Sequence, residues 1–148
     1  SKPVLGRHGE GIYIHEDQES LEKAIEEAKE TLIVQKCLEI DYEFRIFVLE
    51  DKALGAIQKI PEKGKLIANY AAGAQFRKID LPPKYYDEAV RLCQVQEIEI
   101  GGVDIAKAKD GQLYLLEINR CPEFKASTEA LGINIAEKII DFVLHKDA

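Results

Sequence analysis

Apolar and polar residues alternate along two runs of this chain, residues 102–108 and 112–119, with Asp110-Gly111 between them. A period of two puts successive side chains on opposite faces of a strand. Asp-Gly between two such runs signals a two-residue hairpin turn. With Asp110 and Gly111 as the loop, Lys109 faces Gln112, Ile105 faces Leu116, Val103 faces Ile118, and Asp104 stands opposite Glu117. Val103, Ile105, Leu116 and Ile118 then share an apolar face, and Asp104, Glu117 and Asn119 share the polar one. Directly opposed side chains have Cβ atoms about 5 Å apart, where two carboxylates repel. The pattern therefore asks for a positive charge. A hard divalent cation held by two carboxylates and an amide oxygen would supply it; a neighbouring Lys or Arg, or a solvent-washed face, would also answer. Three oxygen ligands on one face favour the metal.

The same reading predicts the remaining elements. Residues 2–5 and 11–14 read as strand segments joined by a glycine-rich turn. Asp17 caps a helix reaching about residue 30, with Leu21, Ala24, Ile25 and Ala28 as its stripe. Residues 31–35 read as a buried strand and residues 40–42 as a linker. Phe44, Ile46 and Val48 alternate with Glu43, Arg45 and Phe47, so Glu43 and Arg45 share a face. A partner strand over residues 53–60 follows a turn at 50–52. Residues 67–76 are a loop or edge segment with Asn69 its most polar member. Pro82-Pro83 opens a helix with Tyr86, Ala89, Val90 and Cys93 on one face. Asn134 and Glu137 have capping-box spacing, and Ile135, Ile139, Phe142 and Val143 give the last helix a buried face. Helices alternating with hairpin-paired strands predict an α+β fold. A hinge near residues 37–42 is expected to divide a small lobe, residues 1–36, from a larger one, residues 37–148.

Composition narrows the function classes. A chain of 148 residues with 46% hydrophobic and 32% charged content can bury a core as a soluble globular protein. Its net charge of −7 argues against nonspecific binding to nucleic acid or an anionic membrane. No apolar run would span a bilayer, and no secretory signal is present. Cys37, Cys93 and Cys121 lack CxxC spacing, which suits a reducing cytoplasm, and the histidines lack zinc spacing. The absence of Met, including an initiator, points to a fragment of a longer chain. The glycine-rich turn at residues 6–11 joins strand to strand, lacks a Gly-Lys-Ser/Thr ending and opens no helix. It is therefore a poor P-loop or dinucleotide fingerprint.

Gly102-Val103-Asp104-Ile105, then Leu115-Leu116-Glu117-Ile118-Asn119-Arg120-Cys121-Pro122-Glu123-Phe124, then Leu131-Gly132-Ile133-Asn134-Ile135-Ala136 occur in an order and spacing that resembles the C-terminal half of an ATP-grasp ligase. The resemblance is nearest to the RimK-type amino-acid ligases and runs from Lys2 through Val143. It implies two α+β lobes with ATP between them: here a partial small lobe and a larger antiparallel-sheet lobe packed with helices. It also implies a carboxylate activated as an acyl phosphate and attacked by an amine. Asp104, Glu117 and Asn119 fall on the family's Mg²⁺ ligands. Lys2 falls on a lysine touching nucleotide phosphate, and Gly9 on a glycine-rich lid. Gln35, Lys36, Cys37 and Leu38 fall on the hinge that reads adenine through backbone groups. Glu43 matches an acidic residue near the ribose, Arg45 a catalytic arginine on the transferred phosphate, and Asn69 a ligand near phosphate and metal. By itself, Arg45 would read as one half of an exposed surface pair.

One segment departs from the family pattern. Where relatives carry Asn-x-x-Arg-Gly-Gly, this chain has Asn69-Tyr70-Ala71-Ala72-Gly73-Ala74, without the arginine that helps bind the acyl phosphate or carboxylate. The resemblance thus implies either an ATP- and Mg²⁺-dependent carboxylate–amine ligase or a noncatalytic nucleotide-binding, regulatory domain. Its ligands would be ATP and an amino acid, small carboxylate or peptide, with no nucleic acid and no membrane. A second copy of the chain, as a homo-oligomer, is a further candidate partner. On the metal reading, Asp104→Asn or Glu117→Gln relieves repulsion in the metal-free chain and leaves stability intact.

Overall fold

Phe44, Ile46 and Val48 are each at most 1% exposed and recur at every second position of one strand. In the computed structural model, which describes residues 1–5, 11–60 and 74–146, that strand is the centre of a five-stranded antiparallel sheet. The strands are β3 (Ile40–Leu49), β4 (Lys52–Ile60), β5 (Gln75–Ile79), β6 (Ile100–Ala108) and β7 (Leu113–Asn119), in the spatial order β5-β4-β3-β6-β7. Helix α2 (Pro83–Val95) covers one face. There Ala89 and Cys93 join Phe44, Ile46, Val48, Ala56, Val103 and Ile105 in a buried cluster. Helix α3 (Lys125–Leu131) packs on the opposite face, against β4 and β5. Gly55 permits that packing. Its φ is 152°, and a Cβ there would lie 2.8 Å from Leu131 Cδ2. Helix α4 (Ile135–His145) closes the described chain, with Asn134 Oδ1 accepting from the Glu137 N–H at 3.2 Å.

The chain forms two compact units, Ser1–Glu39 and Ile40–Ala148. The first holds β1 (Lys2–Pro3), α1 (Gln18–Glu27) and β2 (Leu32–Ile33), with β1 and β2 paired antiparallel. Asp17 caps α1 as expected, accepting from the Ser20 N–H at 2.8 Å. No helix among the described residues is long and apolar enough to cross a membrane.

Several elements differ from expectation. Residues 31–35 are not a buried strand. Only Leu32–Ile33 pairs, and Ile33 and Val34 are 38% and 51% exposed, because a two-stranded ribbon has little to bury them against. Residues 11–14 form no strand, although the Tyr13 N–H donates to the Ser1 carbonyl at 2.9 Å. The expected linker at residues 40–42 is the start of β3, where Ile40 faces Ala108 and the register slips across Asp41. Helix α1 stops at Glu27, since Ala28 is extended. Helix α3 had no sequence signal: it is seven residues long and its N-cap, Phe124, has no capping side chain. On α4 only Ile135 is buried, and Val143 is 57% exposed. The glycine-rich turn at residues 6–10 and the segment with Asn69 and Ala72 lie outside the described residues.

Candidate functional site

The β6–β7 hairpin brings Asp104 opposite Glu117 by a route the turn signal did not indicate. Its loop has three residues, not two. The Gly111 N–H donates to the Ala108 carbonyl and the Ala108 N–H to that of Gln112, both at 2.9 Å, with Gly111 at φ 85°. This is the turn closed by a left-handed glycine that three-residue hairpins use. It shifts the register by one, so Ile105 faces Leu115 and not Leu116. A bulge between Asp104 and Ile105 then shifts it back, restoring Asp104 opposite Glu117, Val103 opposite Ile118 and Gly102 opposite Asn119. Leu116, at the bulge, is 39% exposed and does not join the core.

Register across the sheet places Lys59, Glu43 and Ala106 in one row of this face. Ile57, Arg45, Asp104 and Glu117 form the next row. Asp104 is 2% exposed. Arg45 Nε donates to its Oδ1 and Arg45 Nη2 to its Oδ2, each at 2.7 Å, and Lys59 Nζ donates to Oδ2 at 2.7 Å. Asn119 Nδ2 lies 2.9 Å from Glu117 Oε1 and 3.4 Å from Asp104 Oδ2. The positive charge that the facing carboxylates required is thus supplied by two side chains. Arg45 is no exposed surface pair, because its side chain is only 17% exposed and its guanidinium is bidentate.

Gly102 makes room for this arrangement. A Cβ there would meet Pro122 Cβ at 2.8 Å and Arg45 Cδ at 3.4 Å. The chain leaving β7 therefore lies close beside the arginine, and Arg45 Nη1 donates to the Glu123 carbonyl at 3.5 Å.

The two inner carboxylates respond to this field in opposite directions. Burial disfavours the Asp104 carboxylate, yet the Arg45 hydrogen bonds and the charges of Lys59 and Arg45 outweigh it and hold the group below its ordinary range. Glu43 shifts upward. Burial is the main cause, Lys59 opposes it, and the negative charges of Asp104 and Glu117 reinforce it.

Among the described residues, no group of three or more His, Cys, Asp and Glu is placed to hold a metal ion. The donor set of Asp104, Glu117 and Asn119 is two carboxylates and an amide. That fits a Mg²⁺ ion which takes its remaining ligands from water and phosphate oxygens, and does not fit an all-protein cage. Most of the other expected contacts fall in the first unit or outside the described residues. Lys2 is half-buried in β1; Gln35, Lys36 and Cys37 are exposed and Leu38 half-buried after β2, all in the first unit. Gly9 and Asn69 lie outside the described residues. Sequence reasoning missed Lys59. The signal was present, since pairing β3 with β4 across the turn at residues 50–52 puts Lys59 opposite Glu43.

A family profile described as the RimK-like ATP-grasp domain matches residues 1–143. The chain belongs to this family. Relatives include a probable alpha-L-glutamate ligase 1 of Shewanella frigidimarina, 29% identical over 147 residues that cover 96% of this chain and 48% of the relative. A probable alpha-L-glutamate ligase of Legionella pneumophila (strain Corby) is 29% identical over 150 residues, covering 98% of this chain and 49% of the relative. The chain spans about half the length of these curated relatives. Among solved structures, the ATP-grasp ligase PsnB complexed with a minimal precursor superposes with a TM-score of 0.62 at 21% identity, over 74% of this chain and 36% of that one. PsnB complexed with a phosphomimetic precursor variant, Mg and ADP gives 0.62 at 20% identity, over 74% of this chain and 34% of that one. These likenesses show the ATP-grasp fold, of which this chain is a part.

Proposed function

We propose that this RimK-like ATP-grasp chain is the nucleotide- and metal-binding portion of an ATP-dependent carboxylate–amine ligase. In that reaction a carboxylate oxygen takes the γ-phosphoryl group of ATP, giving an acyl phosphate and ADP. An amine then attacks the acyl carbon, phosphate leaves, and the nitrogen loses a proton to give the amide. The observation that carries the reading is the convergence of Arg45 and Lys59 on Asp104, beside an exposed Glu117, on one face of the five-stranded sheet.

Phosphoryl transfer needs positioned positive charge more than covalent help. Arg45 is the catalytic residue in this reading: its guanidinium, fixed by β3 and by the chain after β7, neutralises charge on the transferred group. Lys59 adds a second cation in the adjacent row. Asp104, Glu117 and Asn119 would hold Mg²⁺, which when bound screens the phosphate oxygens. Lys2, Gly9 and Asn69 are assigned to phosphate contacts, Gln35 to Leu38 to the adenine, and Glu43 to the ribose, all on the family resemblance. Residues 1–36 are assigned to the small lobe and 37–148 to the large one. The names of the curated relatives make glutamate the first amine to try.

Calorimetric titration with ATP and Mg²⁺ tests binding, and amino-acid-dependent ADP release tests turnover. Binding plus glutamate-dependent release, reduced by Arg45→Gln, is expected; failure of Mg²⁺ and ATP to bind overturns the proposal. Ala72, in place of the family's arginine, favours a second reading: a nucleotide-binding domain without turnover. Binding with no ADP release under any amino acid would decide for it.

A further inference from the structure

Asp104 is the most buried of the three expected metal ligands, and in this structure its carboxylate is already engaged. A carboxylate offers about four lone-pair sites. Arg45 Nε takes one on Oδ1, while Arg45 Nη2 and Lys59 Nζ both bond to Oδ2 at 2.7 Å. Asn119 adds its NH₂ group at 3.4 Å from Oδ2 and 2.9 Å from Glu117 Oε1, so the branch of the amide facing both carboxylates is the one a cation cannot use. A divalent cation arriving alone would meet two like charges within a few ångströms, at a carboxylate that is 2% exposed.

We infer that Arg45 and Lys59 form an internal lock on Asp104, so that divalent cation binds only together with a polyphosphate. This rests on the nucleotide-site reading above. A polyphosphate offers Arg45 and Lys59 replacement oxygens. As they turn to it, the Asp104 carboxylate is released to the cation, and a half-turn of the Asn119 amide exchanges its NH₂ for its oxygen. Each ligand thereby raises the affinity of the other by the same factor. The consequence is protective: cation alone does not occupy the site, and the buried carboxylate is never left without a counter-charge. Glu117, exposed and with no such cationic partner among the described residues, is where an incoming cation first makes contact.

The test uses Mn²⁺ as the probe, read by the loss of its free-ion electron paramagnetic resonance signal, with and without tripolyphosphate. The direct Mn²⁺–tripolyphosphate complex is measured separately without protein. Wild-type protein is expected to bind Mn²⁺ weakly alone and about tenfold or more tighter with tripolyphosphate. Arg45→Gln and Lys59→Gln leave Asp104 with one remaining cation, so each should fold, as circular dichroism checks. Each should bind Mn²⁺ alone about tenfold more tightly while binding tripolyphosphate more weakly. A simple phosphate-binding role predicts only the second change. Adding Asp104→Asn to Lys59→Gln should abolish the gain. The lock is overturned if wild-type Mn²⁺ affinity is the same with and without tripolyphosphate, or if both folded variants bind Mn²⁺ alone as wild type does. Failure of Mg²⁺ and ATP to bind would overturn the nucleotide reading instead, and the Mn²⁺-only comparison of Lys59→Gln with wild type still reads the lock.

Discussion

On one face of the five-stranded sheet, Phe44, Ile46, Val103 and Ile105 pack beneath Ala89 and Cys93 of α2. On the other, Arg45, Lys59 and Asp104, drawn from the intervening positions of the same strands, form ion pairs at 2.7 Å. The first face stabilises the fold by removing apolar area from water. The second takes three charges out of water, which a well-packed apolar set would replace at little or no loss of stability. On the proposed function the charged face serves ligand binding, carried on a sheet whose opposite face supplies the apolar core. Substitutions on the two faces should consequently fail in different ways.

The largest effect is expected on the apolar face. Phe44→Ala removes a ring that is 1% exposed and should cost about 4 kcal/mol in urea unfolding. Nucleotide affinity of the folded fraction should stay near wild type. A loss of affinity with little loss of stability would break the distinction between the faces.

Asp104→Asn comes next, at about 3 kcal/mol, because it leaves Arg45 and Lys59 facing each other without their anion. This reverses the expectation from the facing carboxylates alone, under which loss of one relieves repulsion. Denaturant unfolding distinguishes the two, and a stability equal to wild type would mean that the ion pairs contribute nothing in solution. The Arg45→Gln, Asp104→Asn double variant should be destabilised by less than the sum of the single changes, since the two residues share one interaction.

Acid titration separates Asp104 from Glu43 on the same face. The Asp104 carboxyl lies below its ordinary 3.8, so its contribution is present above that value and is lost as pH falls through the folded-state pKa. The Glu43 carboxyl lies above its ordinary 4.5, so the folded state takes up its proton first, and stability rises as pH falls from that raised pKa toward 4.5. Urea midpoints measured down a pH series should therefore rise before they fall. Glu43→Gln should remove the rise, and Asp104→Asn should remove the share of the fall below 3.8.

Much of the charged face was legible from alternation, and its gaps have physical causes. Glu43 and Arg45 share a face because period two fixes it. The pairing of Asp104 with Glu117 was anticipated through two departures that cancel, a third loop residue and a bulge after Asp104, neither of which turn chemistry alone reveals. Lys59 escaped notice because a lysine near a strand end ordinarily reaches solvent; its burial depends on Asp104, 45 residues away. Helix α3 escaped because seven residues with no capping side chain carry too little periodicity, and its position is set by Leu131 fitting over Gly55. Residues 31–35 were overread because an apolar run looks the same whether or not a second layer covers it.

Glu117→Gln should have the smallest effect on stability and the most selective effect on binding. Glu117 is exposed, and the hydrogen bond it accepts from Asn119 can be kept by the amide oxygen of glutamine, so unfolding should shift by no more than about 0.5 kcal/mol. Yet the substitution removes the exposed carboxylate that faces Asp104 across the hairpin. If Glu117 receives the cation, Mg²⁺-dependent ATP binding should weaken while Mg²⁺-independent binding of the nucleotide is unchanged or slightly tighter, because a negative charge near the phosphates is gone. Calorimetry with and without Mg²⁺ reads both. Equal weakening under both conditions would assign Glu117 to the nucleotide itself. No change under either would move the metal site off this hairpin and leave the charged face as an anion site built from Arg45 and Lys59.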